Sequence, residues 1–335
     1  MPIFALATLT PLALTALAAV LGGPWAAAAL FSLTLVIPLL DRLAAGTGEA
    51  GAEFPAGTGL SVLLAAGHFA LLALVVRQLG TGALGPLEGV ATFLAAAIWM
   101  GQVSNANAHE LIHRPGRGLR RLGTWVFISL LFGHHASAHP LVHHVHVATP
   151  ADPNTARRGE SFYRFAPRAW RGSFREGLRA ERRRLARRGQ PRWRSPYVTY
   201  GLGALAMLGL SVLLAGPAGL AIHLGLALLA QAQLLMSDYV QHYGLRREIL
   251  ATGKPVPVGP GHSWNSPHPA SSALLLNAPR HSDHHVRPGT PWPGLRLEAG
   301  LPTLPRPLPV MGVIALAPGA WRRIMHPRLD ALTKG

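Results

Sequence analysis

Residues 87–107, LEGVATFLAAAIWMGQVSNAN, lead directly into His109-Glu110-Leu111-Ile112-His113. A run of roughly 20 mainly apolar residues is long enough to cross a bilayer as a helix. Two His at positions i and i+4 of a helix present their rings on one face, where both can bind one metal ion. The stretch therefore predicts a membrane helix that leads into a metal site.

Further apolar runs lie on both sides of this one. Of the 335 residues, 49% are hydrophobic and only 13% are charged, whereas about a quarter of a soluble domain is charged. The chain is therefore predicted to be an all-α integral membrane protein with about six transmembrane helices in a single embedded domain over 1–335. The predicted spans are 3–20, 25–40, 60–79, 87–107, 197–215 and 217–240, with a hinge at Gly216–Pro217 between the last two.

An Arg-rich loop fixes the predicted orientation. Residues 157–194 hold 14 Arg and only three Glu. Because cytoplasmic loops are enriched in Lys and Arg, this loop is predicted to be cytoplasmic. With six spans, both termini are then cytoplasmic, and 241–335 forms a C-terminal cytoplasmic cap. The net charge of +17 thus favours membrane lipid or an acidic protein as partner, with no nucleic acid.

The metal-binding side chains are imidazoles. The chain has no Cys, which excludes disulfides, thiolate metal sites and a cysteine nucleophile. It has 17 His, and 13 of them fall within 109–146 and 262–285. Such clustering in a Cys-free chain is typical of an imidazole-bound metal centre.

Four histidine elements map to one predicted membrane face. They are His109 with His113; His134, His135, His139, His143, His144 and His146; His242 just past the last span; and His281, His284 and His285. Pro140 is predicted to break helical continuity inside the second element. A single zinc takes three or four ligands, so eight or nine converging His indicate two metal ions. Imidazole-rich sites suit iron as well as zinc.

Four stretches resemble a known family. They are NANAHELIHR (105–114), HHVHVATPADPNTARRGESFYRF (143–165), DYVQHYGLRR (238–247) and SWNSPHPASSALLLNAPRHSDHH (263–285). These motifs are similar to those of the membrane-bound non-haem diiron alkane 1-monooxygenases, within the superfamily of membrane fatty-acid desaturases and hydroxylases. The resemblance implies a multi-pass protein of a bacterial-type inner membrane.

The resemblance also implies a pair of iron ions bound by nine His. Carried over residue by residue, the implied ligands are His109, His113, His139, His143, His144, His242, His281, His284 and His285. Carboxylates commonly orient the N–H groups of metal-bound imidazoles. Glu110 and Asp283 are the predicted residues for that role, with Asp238 a weaker candidate.

This chain departs from the family pattern around the second and fourth His elements. In the second element the family has Glu before the first ligand His and Gly before the His pair, where this chain has Ala138 and Val142. In the fourth element the family has Leu-Gln before Arg-His, where this chain has Ala278-Pro279. The remaining His are predicted to support the site, to lie on the surface, or, for His68 and His223 within the spans, to hydrogen-bond between helices.

The reaction implied by the resemblance converts an alkane, dioxygen, two electrons and two protons into a primary alcohol and water. Rubredoxin and rubredoxin reductase are the implied electron donors, with the Arg-rich loop as their docking surface. The alternative within the superfamily is a related membrane diiron hydroxylase or desaturase that acts on an aromatic methyl group or a fatty acyl chain. A membrane zinc metalloprotease using His109 and His113, and a His-rich metal transporter, are the alternatives from other classes.

Overall fold

The computed structural model describes residues 2–43 and 57–332; Met1, 44–56 and the last three residues of the predicted cap, 333–335, lie outside the described residues. Within that part of the chain every regular element is helical, and β-pairing is limited to two isolated bridges. The predicted all-α class is confirmed.

Over residues 2–43 and 57–332, twelve helical elements carry the architecture. They are α1 (Pro2–Leu21), α2 (Pro24–Leu43), α3 (Gly57–Gly80), α4 (Pro86–His113), α5 (Arg117–Ser129), α6 (135–146), α7 (Phe162–Arg187), α8 (Pro196–His242), α9 (Pro269–Leu274), α10 (His281–Val286), α11 (Leu308–Ala315) and α12 (Pro318–Leu332). Single π turns interrupt α2, α4 and α6 at Ser32–Val36, Met100–Ser104 and His139–His143.

Five of these helices, α1 to α4 and α8, are long and apolar enough to cross a membrane. Pro24, Pro86 and Pro196 each lie in the first turn of their helix. Proline suits this position because its fixed φ is preorganised for a helix and its missing N–H would have no intrahelical partner there. The sequence thus marks where these helices begin.

The 47-residue helix α8 reverses direction near its middle. Ala215 and Gly216 have non-helical backbone angles, and Gly216 has a φ of 61°, a conformation that favours glycine. Ser211 Oγ therefore lies 2.7 Å from His223 Nδ1, although the two residues are twelve positions apart in the sequence. In a straight helix, residues twelve positions apart would lie about 18 Å from each other along the axis. The arms of this hairpin correspond to the predicted spans 197–215 and 217–240; the number of membrane crossings stays a prediction.

Hydrogen bonds join the helices through two buried histidines. His68 Nδ1 and Nε2 lie 2.9 Å from Ser104 Oγ and 2.7 Å from Ser129 Oγ. His223 Nε2 lies 2.6 Å from the Ser129 carbonyl oxygen. A buried polar group needs such partners because leaving it unpaired is costly. The predicted role of both His in helix-to-helix hydrogen bonding is confirmed.

Most of the Arg-rich stretch is a helix rather than an irregular loop. In α7 the residues Phe165, Ala169, Ser173 and Gly177 recur every four positions and are buried, while most of its Arg are exposed. Helical residues at this spacing share one face. That face packs on α6, so α7 covers one side of the second His element.

The carboxylate of Asp41 links α2 to the C-terminal segment through hydrogen bonds. Asp41 is buried near the end of α2, and its Oδ1 accepts hydrogen bonds from the backbone N–H groups of Ala270 at 2.8 Å and Ser271 at 3.1 Å. The first N–H groups of a helix have no intrahelical partner, and a carboxylate is a favourable acceptor for them. Asp41 thereby caps α9 from a distant part of the chain.

Asp41→Ala is expected to destabilise the protein by about 1–3 kcal/mol, because two buried N–H groups at the start of α9 lose their acceptor. The measurement is the apparent unfolding temperature of the detergent-solubilised protein, followed by tryptophan fluorescence. Asp41→Asn keeps one acceptor oxygen and should lose less. An Asp41→Ala protein that unfolds at the wild-type temperature would rule out this capping role.

Candidate metal centre

Helix α4 delivers His109 and His113 from its last two turns. The π turn Met100–Ser104 lies one turn earlier, and such bulges are frequent at functional sites. The end of α4 is held by close packing of α5 at Gly123, where a Cβ atom would lie 2.7 Å from the Ala108 carbonyl oxygen. Only glycine allows this approach without displacement of α4.

Helix α6 presents three His through a π turn. The structure corrects the predicted break at Pro140: the helix continues through it, and His139–His143 forms the π turn. This winding places the ring of His139 5.1 Å from that of His143 and 4.5 Å from that of His144, measured between centroids. All three rings therefore reach the same region as the end of α4.

Five of the predicted ligands form one group. Their nitrogens all lie within 4.8 Å of one another: His109, His113, His139, His144 and His284. His139 Nε2 lies 2.7 Å from His109 Nε2 and 2.9 Å from His144 Nε2. His144 Nε2 lies 3.1 Å from His284 Nε2.

The other four predicted ligands form a second, fully buried group: His143, His242, His281 and His285. His281 Nε2 lies 3.0 Å from His242 Nε2 and 3.1 Å from His285 Nε2. The two groups adjoin each other, since the ring centroids of His144 and His285 are 4.6 Å apart. The structure thus brings all nine predicted residues together, in one group of five and one group of four. That these residues bind metal stays a prediction.

The spacing of these nitrogens fits metal coordination. Two nitrogens bound to one ion at about 2.1 Å and at right angles lie about 3 Å apart. The observed Nε2 separations of 2.7–3.1 Å have this value. In addition, the Nε2 atoms of His113 and His143 are buried without a hydrogen-bond partner among the described residues. Buried imidazole nitrogens without partners are what a cation would satisfy.

Burial favours the neutral form that a ligand needs. Removal from water, followed by repulsion from the neighbouring imidazoles, lowers the pKa of His139, His144, His281, His284 and His285 well below the usual histidine value. A neutral imidazole keeps one lone pair for a metal ion. These five His thus favour the neutral form and can act as nitrogen donors.

Asp152 supports one of these His and was not among the residues predicted from the sequence. Its Oδ2 lies 2.9 Å from His143 Nδ1. The other ring nitrogen of His143, Nε2, is therefore left for the second group. Burial disfavours the imidazolium, but the adjacent Asp152 carboxylate outweighs this and raises the pKa of His143. Thr155 Oγ1 donates to Asp152 at 2.7 Å, and the Asn154 N–H donates at 3.0 Å. The signal available in the sequence was its position within 143–165, the stretch with the most specific resemblance.

The two carboxylates predicted to orient imidazoles have other partners. Glu110 Oε1 lies 2.9 Å from Arg114 Nε, and the backbone of Trp292 also hydrogen-bonds the Glu110 carboxylate. Asp283 accepts hydrogen bonds from Arg287 Nε and the Arg296 N–H, both at 2.8 Å. In the described chain neither carboxylate is hydrogen-bonded to an imidazole, and their orienting role stays a prediction. Asp238, the weaker candidate, accepts from Asn154 Nδ2 at 2.6 Å and so holds the segment that carries Asp152.

The departures from the family pattern are accommodated locally. Ala138 is buried against Gly177 of α7, where a Cβ would lie 3.0 Å from the Ala138 Cβ. A carboxylate is nonetheless nearby, because Glu181 of α7 accepts a hydrogen bond from Ser137 Oγ at 2.8 Å. Val142 lies inside the π turn with an ordinary negative φ, so this position does not require glycine.

The remaining His have separate roles. His134 Nε2 lies 3.3 Å from Ser173 Oγ, and His135 packs on Phe127 and Phe132. His326, predicted to be on the surface, is half-buried with its Nε2 3.1 Å from the Tyr243 hydroxyl. The structure keeps these His out of both groups.

A cavity of about 550 Å³ opens beside the His groups. His109 and His139 line one part of it, and most other lining residues are apolar. Helix α4 contributes a stripe of residues one or two turns apart, from His109 past Gln102 to Leu94. The apolar patch predicted at 308–318 supplies a further wall through α11. The cavity has the size of a small-molecule site and an apolar chain suits its walls.

Comparisons with known proteins agree with this geometry. The fatty acid desaturase family matches residues 85–311, which include all nine of the grouped His. An alkane 1-monooxygenase of Pseudomonas aeruginosa is 35% identical over 72% of this chain and 65% of its own length. A second from the same species is 32% identical over 91% of this chain and 84% of its own length. The xylene/toluene monooxygenase hydroxylase component of Pseudomonas putida is 30% identical over 70% of this chain and 63% of its own.

The family match covers more than half of the chain, and the second alkane 1-monooxygenase is aligned over most of both proteins. The predicted resemblance is therefore confirmed: the chain belongs to the fatty acid desaturase family, with alkane 1-monooxygenases among its relatives.

Proposed function

We propose that this protein is a membrane diiron monooxygenase that inserts one oxygen atom from O₂ into the terminal C–H bond of an alkane or a similar apolar chain, giving a primary alcohol. The observation that carries the proposal is the pair of convergent His groups beside a largely apolar cavity. Relatives named alkane 1-monooxygenases support the same activity.

Two iron ions fit the donor set. The two groups offer five and four imidazole nitrogens, with no carboxylate or thiolate among them in the described chain. A catalytic zinc usually takes three protein ligands, so a zinc protease built on His109 and His113 would leave the other His of both groups without a role. Imidazole suits iron, and two adjoining groups of this size support two ions.

The overall reaction consumes the alkane, O₂, two electrons and two protons, and yields the alcohol and water. When bound, the iron pair supplies the activation of O₂ that C–H oxidation requires. The terminal methyl group would lie beside His109 and His139, which line part of the cavity. Its apolar walls exclude water from that position. Asp152 holds the proton on His143 Nδ1 and so keeps the Nε2 lone pair of His143 free.

We further propose rubredoxin and rubredoxin reductase as the electron donors, with α7 and the residues after it as docking surface. The chain has no Cys for an iron–sulfur or rubredoxin centre of its own. Arg182, Arg183, Arg184, Arg187 and Arg188 are exposed and form a dense positive surface. Such a surface attracts a small acidic protein. The same surface supports our proposal that this side is cytoplasmic, in a bacterial-type inner membrane with both termini in the cytoplasm.

Replacing these five Arg with Gln is expected to raise the KM for rubredoxin about tenfold at low ionic strength, because charge steering of the encounter is lost. The salt dependence of turnover should flatten as well. Steady-state turnover against rubredoxin concentration at several salt concentrations measures both effects. A matched control replaces Arg322, Arg323 and Arg328, which are exposed on α12. If the five-Arg variant keeps the wild-type salt dependence, docking lies elsewhere.

Product analysis tests the activity itself. Membranes with iron-loaded protein, rubredoxin, reductase and NADH are offered octane, hexadecane, xylene and a fatty acid, and products are identified by mass spectrometry. Formation of a primary alcohol from the alkanes supports the main proposal, and the absence of any alcohol would refute it. Xylene is included because one relative is a xylene/toluene monooxygenase component, which makes an aromatic methyl group the second candidate substrate. Elemental analysis should find two irons per chain, and one zinc would favour the protease.

A further inference from the structure

A row of exposed aromatic side chains runs along α7. Tyr163, Trp170 and Phe174 expose 60%, 37% and 37% of their surfaces. They are seven and four positions apart in the sequence. At 3.6 residues per turn these steps are close to two turns and one turn, so the three rings share one side of the helix. This aromatic row is separate from the buried face of α7 that packs on α6.

The polar atoms of the aromatic row are turned into the protein. Tyr163 Oη donates a hydrogen bond to the Leu316 carbonyl oxygen at 2.8 Å, and Trp170 Nε1 donates to Gln231 Oε1 at 2.9 Å. Phe174 has no polar side-chain atom. What the row exposes is therefore hydrocarbon. An aromatic side chain beside water gains by keeping its polar tip in the water, so the observed orientation indicates apolar surroundings.

The aromatic row is continuous with surfaces that suit lipid. Gln231, the partner of Trp170, belongs to α8, which is long and apolar enough to cross a membrane. Leu316, the partner of Tyr163, follows α11 directly, and its side chain and that of Val313 are exposed. Tyr and Trp are enriched where a membrane protein passes from lipid to water. The row thus has the position and composition of a membrane–water interface.

A row of Arg flanks the aromatic row, because each of the three rings is followed by an Arg: Arg164, Arg171 and Arg175. These Arg are exposed and take part in no ion pair within the described residues; the carboxylates of α7 pair with other Arg. A long Arg side chain can pass along apolar surface and place its charge in the headgroup layer. The phosphate groups of anionic lipids attract such charges.

We infer that α7 lies in the plane of the bilayer surface, with the aromatic row in the boundary between headgroups and acyl chains and the Arg row on the phosphates of anionic lipids. Amphipathic helices with one aromatic side and basic residues beside it bind membranes in this way. Lipid then holds α7 from one side while α6 holds it from another, so the membrane helps to keep the second His element covered. The inference does not depend on the reaction proposed for the metal centre.

Spin labels test the position of the aromatic row in the full-length protein, reconstituted in lipid nanodiscs that contain phosphatidylglycerol. The chain has no Cys, so a single introduced Cys carries the label alone. A label at Phe174→Cys should collide several times more often with O₂, which concentrates in lipid, than with a water-soluble nickel chelate. Arg183→Cys is the matched control: it is exposed nine residues further along α7, which is two and a half turns and hence the opposite side. Its label should show the reverse preference.

Two results would overturn the membrane position of the row. The Phe174 label would either prefer the nickel chelate, as in water, or be shielded from both reagents, as under a protein partner. Tyr163→Cys repeats the measurement should the Phe174 variant fold poorly.

Lipid composition tests the contact between the Arg row and the headgroups. The apparent unfolding temperature of the wild type should be several degrees higher in phosphatidylglycerol than in phosphatidylcholine nanodiscs, because only the first lipid carries net negative charge. Replacing Arg164, Arg171 and Arg175 together with Gln should narrow this difference. Lys at the same three positions is the matched control, since it keeps the charge and should keep the difference. Equal temperatures in the two lipids for the wild type, or a Gln variant with the wild-type difference, would overturn the headgroup contact.

Discussion

His139→Ala is expected to remove the metal ion from the group of five His and to lower turnover by more than about a hundredfold. His139 Nε2 lies within 3 Å of the Nε2 atoms of both His109 and His144, so it is central to that group. Loss of a residue that merely supports a ligand costs about 10–100-fold in metal affinity or activity. Loss of the ligand itself should cost at least as much.

Iron content and hydroxylation rate measure this effect together. The expected result is a drop from two irons per chain toward one, with the group around His281 still loaded. His146→Ala is the matched control, since His146 lies in the same stretch of sequence but belongs to neither group. It should retain both irons. A His139→Ala protein with two irons and wild-type turnover would show that the five nitrogens do not form a metal site.

Asp152→Ala is expected to weaken metal binding at the second group and to reduce turnover about 10–100-fold. Without the carboxylate, the Nδ1–H of His143 loses its acceptor, and the ring is no longer held with Nε2 toward His242, His281 and His285. Asp152→Asn keeps the shape but replaces one acceptor oxygen with a donor, so it should recover only part of the loss. Iron affinity, measured by competition with a chelator, separates this effect from a change in the chemical step.

The comparison with Asp283→Asn distinguishes the structure from the sequence-based hypothesis. The Asp283 carboxylate pairs with Arg287 and the Arg296 N–H, so its replacement should loosen that loop and leave iron affinity nearly unchanged. The opposite result, with iron lost from Asp283→Asn and kept by Asp152→Ala, would restore the original prediction.

The convergence of some of the histidines could be predicted from the sequence because that information is local. His109 and His113 lie one turn apart on a helix, and His281, His284 and His285 share another, so spacing alone places their rings together. The grouping into five and four was not accessible, because it assigns His284 and His285 of one short helix to different groups. That division depends on how α10 packs against α4, α6 and α8.

The carboxylates that support the ligand candidates were harder to predict, because sequence position alone does not show which group a carboxylate contacts. Glu110 and Asp283 are adjacent in sequence to ligand candidates, yet their side chains reach Arg114 and Arg287 on their own helices or helix ends. Asp152 is nine residues from His143, and the turns between them bring the two side chains together. Adjacency in sequence fixes neither a side chain's direction nor its partner.

Part of the cavity wall comes from helices that carry none of the grouped His. All nine grouped His lie within residues 85–311, whereas Leu33 and Pro38 of α2 and Val313 in α11 line the cavity from outside that segment. Mutations in α2 and α11 can therefore reshape the space for the substrate while every imidazole stays in place. Chemistry and selectivity are then separable under natural selection, and directed evolution of new substrates should begin in these two helices.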